Sequence, residues 1–456
     1  MTTSVGVKPS QQAPAPLARE TWWRSRLDGA ATPTRLGLLL AVLIVFSLAW
    51  GVLAGLTASQ HASAAGEVVA VSEPLSLDAE QIYTSLSDAG ATAASAFLAG
   101  GLEPATARQR YQADITQAAI KIEAASALVG SSAARTQLPG QLAKKTASAS
   151  TAIGDDLAIL SGQLPAYADE VGTARADNRL GLPLGAAYLR EASTLLRGTL
   201  LPAASDIYTR ESALLTSSSA QATGLPLVVI AVLVGLGIGY VLVRSFRWLA
   251  RHTHRVVNYG LLLAALAGLV SLVWLAGAFA AGRADLLHAQ QQGSIPAQAF
   301  ARAEVAVLQA HADESLTLID NSGEDSYQTD FVAEQKLLGP GPGTLLAAVG
   351  ASTGNSDVAV QARAWYQAHA ALRAQDDGGD HAAAVQSALS GNAATTFGRL
   401  STTLIQGISD RQAVFAASAR SGRDDFTGLA VGMVVAALVM VAGCAWGLSR
   451  RLAEYR

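Results

Sequence analysis

The chain has 456 residues, a formal net charge of −3 and 50% hydrophobic residues, while only 15% of its residues are charged. Charged residues make up about a quarter of an average soluble domain, so this composition argues against an ordinary soluble protein. The single cysteine, Cys444, excludes a framework of disulfides within the chain.

Four apolar segments are each long enough to cross the hydrocarbon core of a membrane, which is about 30 Å thick. The first is longer than the apolar part of a secretory signal peptide, so we expect it to remain in the mature protein. The sequence predicts transmembrane helices at residues 36–58, 225–243, 260–282 and 426–449.

Charge is distributed unequally among the segments that connect these helices. Residues 1–35, 244–259 and 450–456 together carry a net charge of +9, whereas the two long segments together carry −12. Because basic segments stay on the cytoplasmic side, we predict that both termini and the basic turn are cytoplasmic. The long segments, residues 59–224 and 283–425, are then extracytoplasmic, which makes this a multi-pass protein of the cell membrane.

The first long segment shows helical patterns. Apolar residues between positions 153 and 167 recur every three or four residues, which is typical of one face of a helix. Three breaks divide the segment into four helices, and Pro74 and Pro202 predict kinks in the outer two. We therefore predict an antiparallel four-helix bundle that continues from the transmembrane helices. The breaks lie at residues 100–104, 130–140 and 181–183.

The second long segment repeats this plan, with breaks at residues 321–323, 339–343 and 376–380. A short sequence also recurs in the two segments, as Tyr111-Gln-Ala-Asp114 and Tyr327-Gln-Thr-Asp330. Each copy follows the first break of its segment. The order of elements predicts a duplicated unit of span, bundle and span, with both copies in the same direction. Since one chain then supplies two bundles, we expect a monomer.

No motif for catalysis is present. The sequence lacks the phosphate-binding loop, the G-x-S-x-G nucleophile motif and the H-E-x-x-H metalloprotease motif. The seven histidines are scattered, with no metal-ligand spacing. We predict that the chain is not an enzyme and has no catalytic residues, cofactor or metal site. The predicted spans contain no ionisable residue, which argues against a transport pathway.

Polar residues at the helix starts and turns of the two long segments are candidates for contacts with an extracytoplasmic partner. An alternative is that these residues only cap helices and solvate turns, because Asp and Asn are common helix caps. The candidates are Tyr111, Asp114, Asn178, Arg179, Tyr188, Arg190, Glu191, Tyr327, Asp330, Asp376, Asp377 and Asp380.

The basic turn between the second and third spans is a candidate contact for an acidic cytoplasmic partner. Alternatively, it only sets the topology and contacts anionic lipids. Its residues of interest are Arg244, Arg247, Trp248, Arg251 and Arg255.

The arrangement of span, four-helix bundle and span resembles the sensor ectodomain of chemoreceptors, although the signalling segments of that family are missing. More closely, the chain resembles the actinobacterial four-span proteins of the GlnX type. The resemblance rests on short motifs, which are Arg26-Leu-Asp28, Thr32-Pro33-Thr-Arg35-Leu, Tyr83-Thr-Ser-Leu-Ser-Asp88-Ala, Gly181-Leu-Pro183, Ala187-Tyr188-Leu-Arg190-Glu191-Ala and Asp376-Asp377-Gly378-Gly379-Asp380.

This resemblance implies two partners, an extracytoplasmic amino-acid-binding lipoprotein and the soluble Ser/Thr protein kinase G or an intermediary. We therefore expect a non-enzymatic transmembrane sensor or relay between them. Two alternatives remain, a structural protein of the cell envelope and an accessory subunit of a transporter.

Overall fold

The described part of the chain is almost entirely helical. The computed structural model describes residues 32–135, 141–222, 224, 226–253, 258–320, 326–339, 341–353 and 357–453. No strand occurs in these ranges. The all-α prediction is therefore confirmed for this part of the chain.

Long helices alternate with short turns along the sequence. The α-helices up to the middle of the chain are α1 (Thr32–Glu67), α2 (Glu73–Leu98), α3 (Ala105–Arg135), α4 (Gln141–Arg179), α5 (Leu184–Leu195), α6 (Leu201–Ala222) and α7 (Pro226–Thr253). Those that follow are α8 (Tyr259–His288), α9 (Ile295–Ile319), α10 (Ser326–Leu338), α11 (Leu345–Thr353), α12 (Asp357–Asp377), α13 (His381–Leu389), α14 (Asn392–Asp424) and α15 (Leu429–Ala453).

Four helices of the described residues are long and apolar enough to cross a membrane. Their apolar stretches lie in α1, α7, α8 and α15, where the sequence predicts spans. The helix that contains the second predicted span continues into the predicted basic turn, because α7 ends at Thr253. Residues 244–253 contain neither glycine nor proline, so no helix-breaking residue interrupts this part of α7.

The described residues divide into two compact units, and the first contains the apolar helices. Small residues allow close packing there, since an added Cβ at Gly260 would lie 2.4 Å from the backbone nitrogen of Gly447. The indole nitrogen of Trp50 donates a hydrogen bond of 3.0 Å to Ser271 Oγ. Close backbone approach and polar links between helices are typical of packing inside a membrane.

The second unit comprises residues 56–229 and 275–430 and contains two groups of helices. In the first group, bundle 1 (α2–α6), α2 packs against α3 and α6, and α4 packs against the same two helices. These contacts close a ring of four helical elements, since α5 leads into α6. The predicted breaks near residues 100–104 and 181–183 are present, and the third break falls partly outside the described residues.

The second group, bundle 2 (α9–α14), is less regular than its sequence predicts. Helices α9, α12 and α14 are long, but the short helices α11 and α13 were not expected from the pattern of breaks. Gly343 and Gly379, with positive φ angles of 84° and 88°, lie in the predicted breaks at residues 339–343 and 376–380, and the additional helix ends follow α11 and α13. Bundle 2 therefore departs from a plain four-helix plan.

The two bundles share one hydrophobic core. Helix α2 of bundle 1 packs along helix α9 of bundle 2, and buried residues of both bundles form a single contiguous cluster. We call the region where α2, α5 and α6 meet α9 and α10 the seam. Alanine is frequent among the buried residues of α2 and α9, which allows these helices to approach closely.

Three π-helical turns interrupt the long helices, at Val68–Ser72, Leu196–Leu200 and Ala289–Ser294. A proline follows the end of each turn by two residues, namely Pro74, Pro202 and Pro296. Proline lacks an N–H donor and its ring clashes with the carbonyl of the preceding turn, so the helix widens locally instead of breaking. The helical run nevertheless continues through each proline.

Candidate functional site: the seam between two helical bundles

An arginine of bundle 1 reaches into bundle 2 at the seam. Arg197 lies in a π-helical turn, and its guanidinium donates a hydrogen bond to the carboxylate of Asp313 on α9. A second carboxylate, that of Asp330 on α10, is 3.5 Å from the same guanidinium. The ring of Tyr327 lies 5.8 Å from the Arg197 Cζ atom. The structure thus brings the predicted Tyr327 and Asp330 together with an arginine that the sequence did not single out.

Asp313 is almost completely buried, with 1% of its side chain exposed. Burial raises the pKa of Asp313 to about 7, and Arg197 offsets part of that rise. A buried charge is strongly unfavourable unless it is paired, so the carboxylate of Asp313 depends on its partner from the other bundle. This ion pair links the stability of the two bundles.

A second ion pair crosses the seam, between the middle of α5 and the residue that follows α9. Arg190, one of the predicted residues, lies 3.5 Å from Asp320. Its side chain is about half exposed, whereas that of Asp320 is 11% exposed. Because the Arg190 side chain is about half exposed, the pair contributes only about 0–1 kcal/mol to stability. Its main effect is to align the two bundles with each other.

Two further glutamates of the seam helices are buried. Glu80 on α2 accepts a hydrogen bond of 3.0 Å from Gln412 on α14, which crosses between the bundles. Glu304 on α9 accepts a bond of 2.5 Å from Ser401. Burial raises the pKa of Glu80 to about 7 and that of Glu304 to about 8. Both carboxyl groups therefore titrate close to neutral pH, inside the contact between the bundles.

The predicted Tyr111 and Asp114 lie inside bundle 1. Tyr111 is 5% exposed, and the guanidinium of Arg175 sits 4.0 Å from its ring centroid. Asp114 is half-buried, and burial together with the nearby Asp88 raises its pKa to about 7, while Arg110 lowers it. A direct contact between Tyr111 and a partner would require α3 to move, so the structure favours a local role for this residue.

An apolar tip adjoins the predicted residues at the α4–α5 turn. Leu180, Leu182 and Leu184 are 73%, 46% and 55% exposed. Asn178 anchors this turn, because its side-chain nitrogen donates a hydrogen bond of 2.8 Å to the carbonyl of Phe97. Exposed apolar groups with a polar rim are typical of a docking surface. Of the other predicted residues on α4 and α5, Arg179 and Glu191 are exposed, and Tyr188 packs partly against the core.

The acidic turn after α12 makes local contacts. Arg373 pairs with both Asp376 and Asp377 at 2.8 Å, and His381 Nδ1 lies 2.7 Å from Asp376. Asp380 accepts a hydrogen bond of 3.1 Å from the backbone N–H of Ala383 and caps α13. These contacts favour the alternative interpretation, in which the acids cap helices and close the turn.

The basic cytoplasmic candidates are described only in part. Arg244 and Arg247 lie on α7 and are exposed. Arg255 and the side chains of Trp248 and Arg251 lie outside the described residues.

Bundle 2 also contains a buried charged group that the sequence did not reveal. Glu314 is fully buried between His369, whose Nδ1 lies 2.7 Å away, and His311, whose Nδ1 lies 3.4 Å away. Phe331 stacks on His369 at 3.6 Å, and Phe397 stacks on His311 at 3.8 Å between centroids. Burial alone would raise the pKa of Glu314, but hydrogen bonds and charge from the two histidines outweigh it and lower the pKa. Within the described ranges, no three His, Cys, Asp or Glu side chains form a metal site.

Charged residues within apolar runs could have indicated both the Arg197–Asp313 pair and the buried Glu314. Arg197 lies among leucines at positions 195–201, and Asp313 and Glu314 interrupt the apolar pattern of α9. Such residues are seldom fully buried without a partner. The sequence could not supply the partners, which lie on other helices.

Comparison with known proteins gives one match. Residues 64–220, which cover bundle 1 except for the last two residues of α6, match a family model described as an actinobacterial sensor domain. No protein of curated function and no solved structure matches the chain. The match, together with the four apolar helices, supports a multi-pass membrane protein of an actinobacterial sensor type.

Proposed function

We propose that this chain is a non-enzymatic transmembrane relay. It reads the ligand state of an extracytoplasmic amino-acid-binding lipoprotein and passes it to a cytoplasmic Ser/Thr kinase pathway. The observation that carries this proposal is the match of residues 64–220 to a sensor domain. The specific partners come from the resemblance to GlnX-type proteins, and the placement of both bundles outside the cell comes from the distribution of charge.

The arrangement of α2 and α9 supports a relay by helix movement. Helical structure is continuous from α1 into α2 and from α8 into α9. Shifts of about 1–2 Å along such helices are a common way to transmit a signal. The π-helical turns at residues 68–72 and 289–294 offer positions where a helix can bend, since such turns frequently occur at functional sites.

Buried carboxyl groups reduce the stability of the observed packing of the seam. In this proposal, a second packing arrangement is therefore close to it in free energy. Glu80, Glu304 and Asp313 are carboxyl groups held inside a protein core, where each raises the free energy of the packed state when ionised. A seam stabilised only by apolar packing would have no such opposing contribution. A partner shifts this balance only if it binds one arrangement more tightly than the other.

The exposed leucines at the α4–α5 turn supply the docking surface in this proposal. To test it, a photoreactive residue replaces Leu182 in living cells, and adducts are identified by mass spectrometry. Ile120 on α3, which is 53% exposed, provides a matched apolar control. We expect an adduct with a solute-binding lipoprotein at position 182 and none at position 120, with a yield that changes when amino acid is added.

Other outcomes would favour the alternatives. Adducts with a permease would indicate an accessory subunit of a transporter, and adducts with wall components alone would indicate a structural protein of the envelope. A lipoprotein adduct whose yield is the same with and without amino acid would rule out the proposed relay.

A further inference from the structure

A cavity of about 330 Å³ lies in the seam, and both residues of the Arg197–Asp313 ion pair line it. Bundle 1 lines it with Tyr83, Arg197 and Ser205, and bundle 2 lines it with Gln309, Asp313 and Glu334. This volume is at the lower end of the range for small-molecule sites, which is about 300–1,000 Å³. The cavity therefore suits a ligand of the size of an amino acid or a short diamine.

The charge of the lining favours a cation. Arg197 is the one basic group of the lining, and it faces the three carboxylates of Asp313, Asp330 and Glu334. Arg197 is already bonded to Asp313, so an anionic ligand would have to displace a buried carboxylate. Asp330 shares the same guanidinium at 3.5 Å, and Glu334 forms no ion pair with another described residue, so one guanidinium faces three carboxylates.

Glu334 is the strongest single indication of a ligand. Its Oε2 atom is buried and has no hydrogen-bond partner in the described residues. Burial raises the pKa of Glu334, Arg197 offsets part of this rise, and Asp330 adds to it. A buried acceptor without a donor costs about 1–3 kcal/mol, and a donor from a ligand would remove that penalty.

The rest of the lining fits the other parts of such a ligand. The apolar surface of Leu201, Pro202 and Ala333 can cover a methylene chain. Ser205 and Gln309 lie within hydrogen-bonding reach of the hydroxyl of Tyr83 and leave polar atoms for a second amino group. Asp330 is 58% exposed, which places it at the mouth of the cavity.

We propose that this cavity binds a small alkylammonium compound, a linear diamine or a basic amino acid, between Glu334 and Asp330. The ligand would contact both bundles at once and so stabilise one arrangement of the seam. This site does not rest on the proposed relay, because a direct ligand requires no lipoprotein.

The test is isothermal titration calorimetry on the full chain in nanodiscs, with putrescine, lysine, glutamate and Mg²⁺ as separate titrants. We expect heats of binding with putrescine, lysine or both, and none with glutamate or Mg²⁺. Binding of putrescine alone would identify a diamine site. Binding of lysine alone would show that the carboxylate of the ligand also contributes to binding. Because a charge-assisted hydrogen bond is lost, Glu334→Gln should weaken binding by about tenfold or more.

Two variants keep this test decisive. Asp330→Asn alters an exposed residue at the mouth, so it should weaken binding without affecting folding. Glu123→Gln removes an exposed acid of α3 that is not part of the cavity, and it should leave binding unchanged. The proposal is overturned if neither amine binds at millimolar concentration, if glutamate or Mg²⁺ binds instead, or if Glu334→Gln and Asp330→Asn both bind as the unaltered chain does. Crosslinking to a lipoprotein is unaffected by any of these results, so the two proposals can fail separately.

Discussion

The guanidinium of Arg197 in bundle 1 bonds the carboxylate of Asp313 in bundle 2, although the two residues are 116 positions apart in the sequence. The side chain of Asp313 is 1% exposed and that of Arg197 is 27% exposed. Loss of the partner is therefore more costly for Asp313 than for Arg197. Without Arg197, the carboxylate would be left buried and unpaired. Without Asp313, the guanidinium would keep access to water and to Asp330.

This asymmetry predicts unequal effects of mutating either partner. Arg197→Met should lower the free energy of unfolding by about 2–4 kcal/mol, because it leaves a buried carboxylate without its cation. Asp313→Asn should lower it by less than about 1 kcal/mol, since the amide remains a hydrogen-bond acceptor. Chemical denaturation of the purified chain, followed by circular dichroism, measures both values. Equal losses of stability in the two variants would contradict the prediction that Asp313 depends on Arg197 more than Arg197 depends on Asp313.

The buried glutamates predict that stability falls as pH rises. The pKa of Glu304 is about 8 in the folded chain against an ordinary value of 4.5, so the folded state holds a proton that the unfolded state releases. The stability that this proton provides is fully present below pH 4.5 and is lost as pH rises towards 8. Glu80 and Asp313, with pKa values of about 7, act in the same direction.

Glu304→Gln tests this dependence. The amide oxygen of glutamine can still accept the hydrogen bond of Ser401, and no proton is exchanged on folding. We expect a smaller decrease in unfolding free energy between pH 5 and pH 8, and a gain of about 1–3 kcal/mol at pH 8. Glu123→Gln, at an exposed site, should reproduce the unaltered pH profile. Parallel profiles for all three proteins would contradict a raised pKa at position 304.

Two histidine–carboxylate contacts of the same length provide a comparison of burial. His369 lies 2.7 Å from Glu314, and His381 lies 2.7 Å from Asp376. The first histidine side chain is 5% exposed and the second 44% exposed. His369→Ala should therefore destabilise the chain by about 3–5 kcal/mol, because it removes the closer of the two histidine contacts of the buried Glu314 carboxylate and the stack on Phe331.

His381→Ala should change stability by less than about 1 kcal/mol, as expected for an exposed ion pair. Thermal unfolding of both variants at pH 7 gives the comparison. Similar shifts of the midpoint in the two variants would mean that the buried contact does not stabilise bundle 2 through charge.

The order of helices followed from the sequence because it depends on local signals. Runs of apolar residues define the four candidate spans, and glycine and proline mark most turns. The cap formed by Asp380 is also local, and the alternative interpretation of the acidic turn anticipated it. Two features were not expected from the sequence: α7 continues to Thr253, and bundle 2 contains the additional short helices α11 and α13 after its predicted glycine breaks.

The seam could not be predicted in the same way. Arg197 and Asp313 meet only after two bundles have formed and packed, and nothing near either residue indicates the partner. The same is true of Glu314, whose second histidine lies 55 positions away. The recurring Tyr-x-x-Asp sequence identified Tyr327 and Asp330 at the seam, but Tyr111 proved to be buried within bundle 1. A short motif indicated where to look, and tertiary packing decided what the residues contact.

Two glycines in π-helical turns provide the last prediction. An added Cβ at Gly293 would lie 2.6 Å from the Cα atom of Phe415 on α14, whereas nothing lies within 4 Å of an added Cβ at Gly198. Gly293→Ala should destabilise the chain by about 1–3 kcal/mol, because the turn before α9 would have to move away from α14. Gly198→Ala should stabilise it by about 0.4–1 kcal/mol, since alanine restricts the unfolded chain and meets no obstacle.

Denaturation midpoints of the two variants measure this difference directly. Opposite signs would establish that the turn at residues 289–294 is held against α14 by close backbone contact, so that a movement of α9 must also displace α14. Stabilisation by both substitutions would show that this turn has room to move alone, and α9 could then shift without its neighbour.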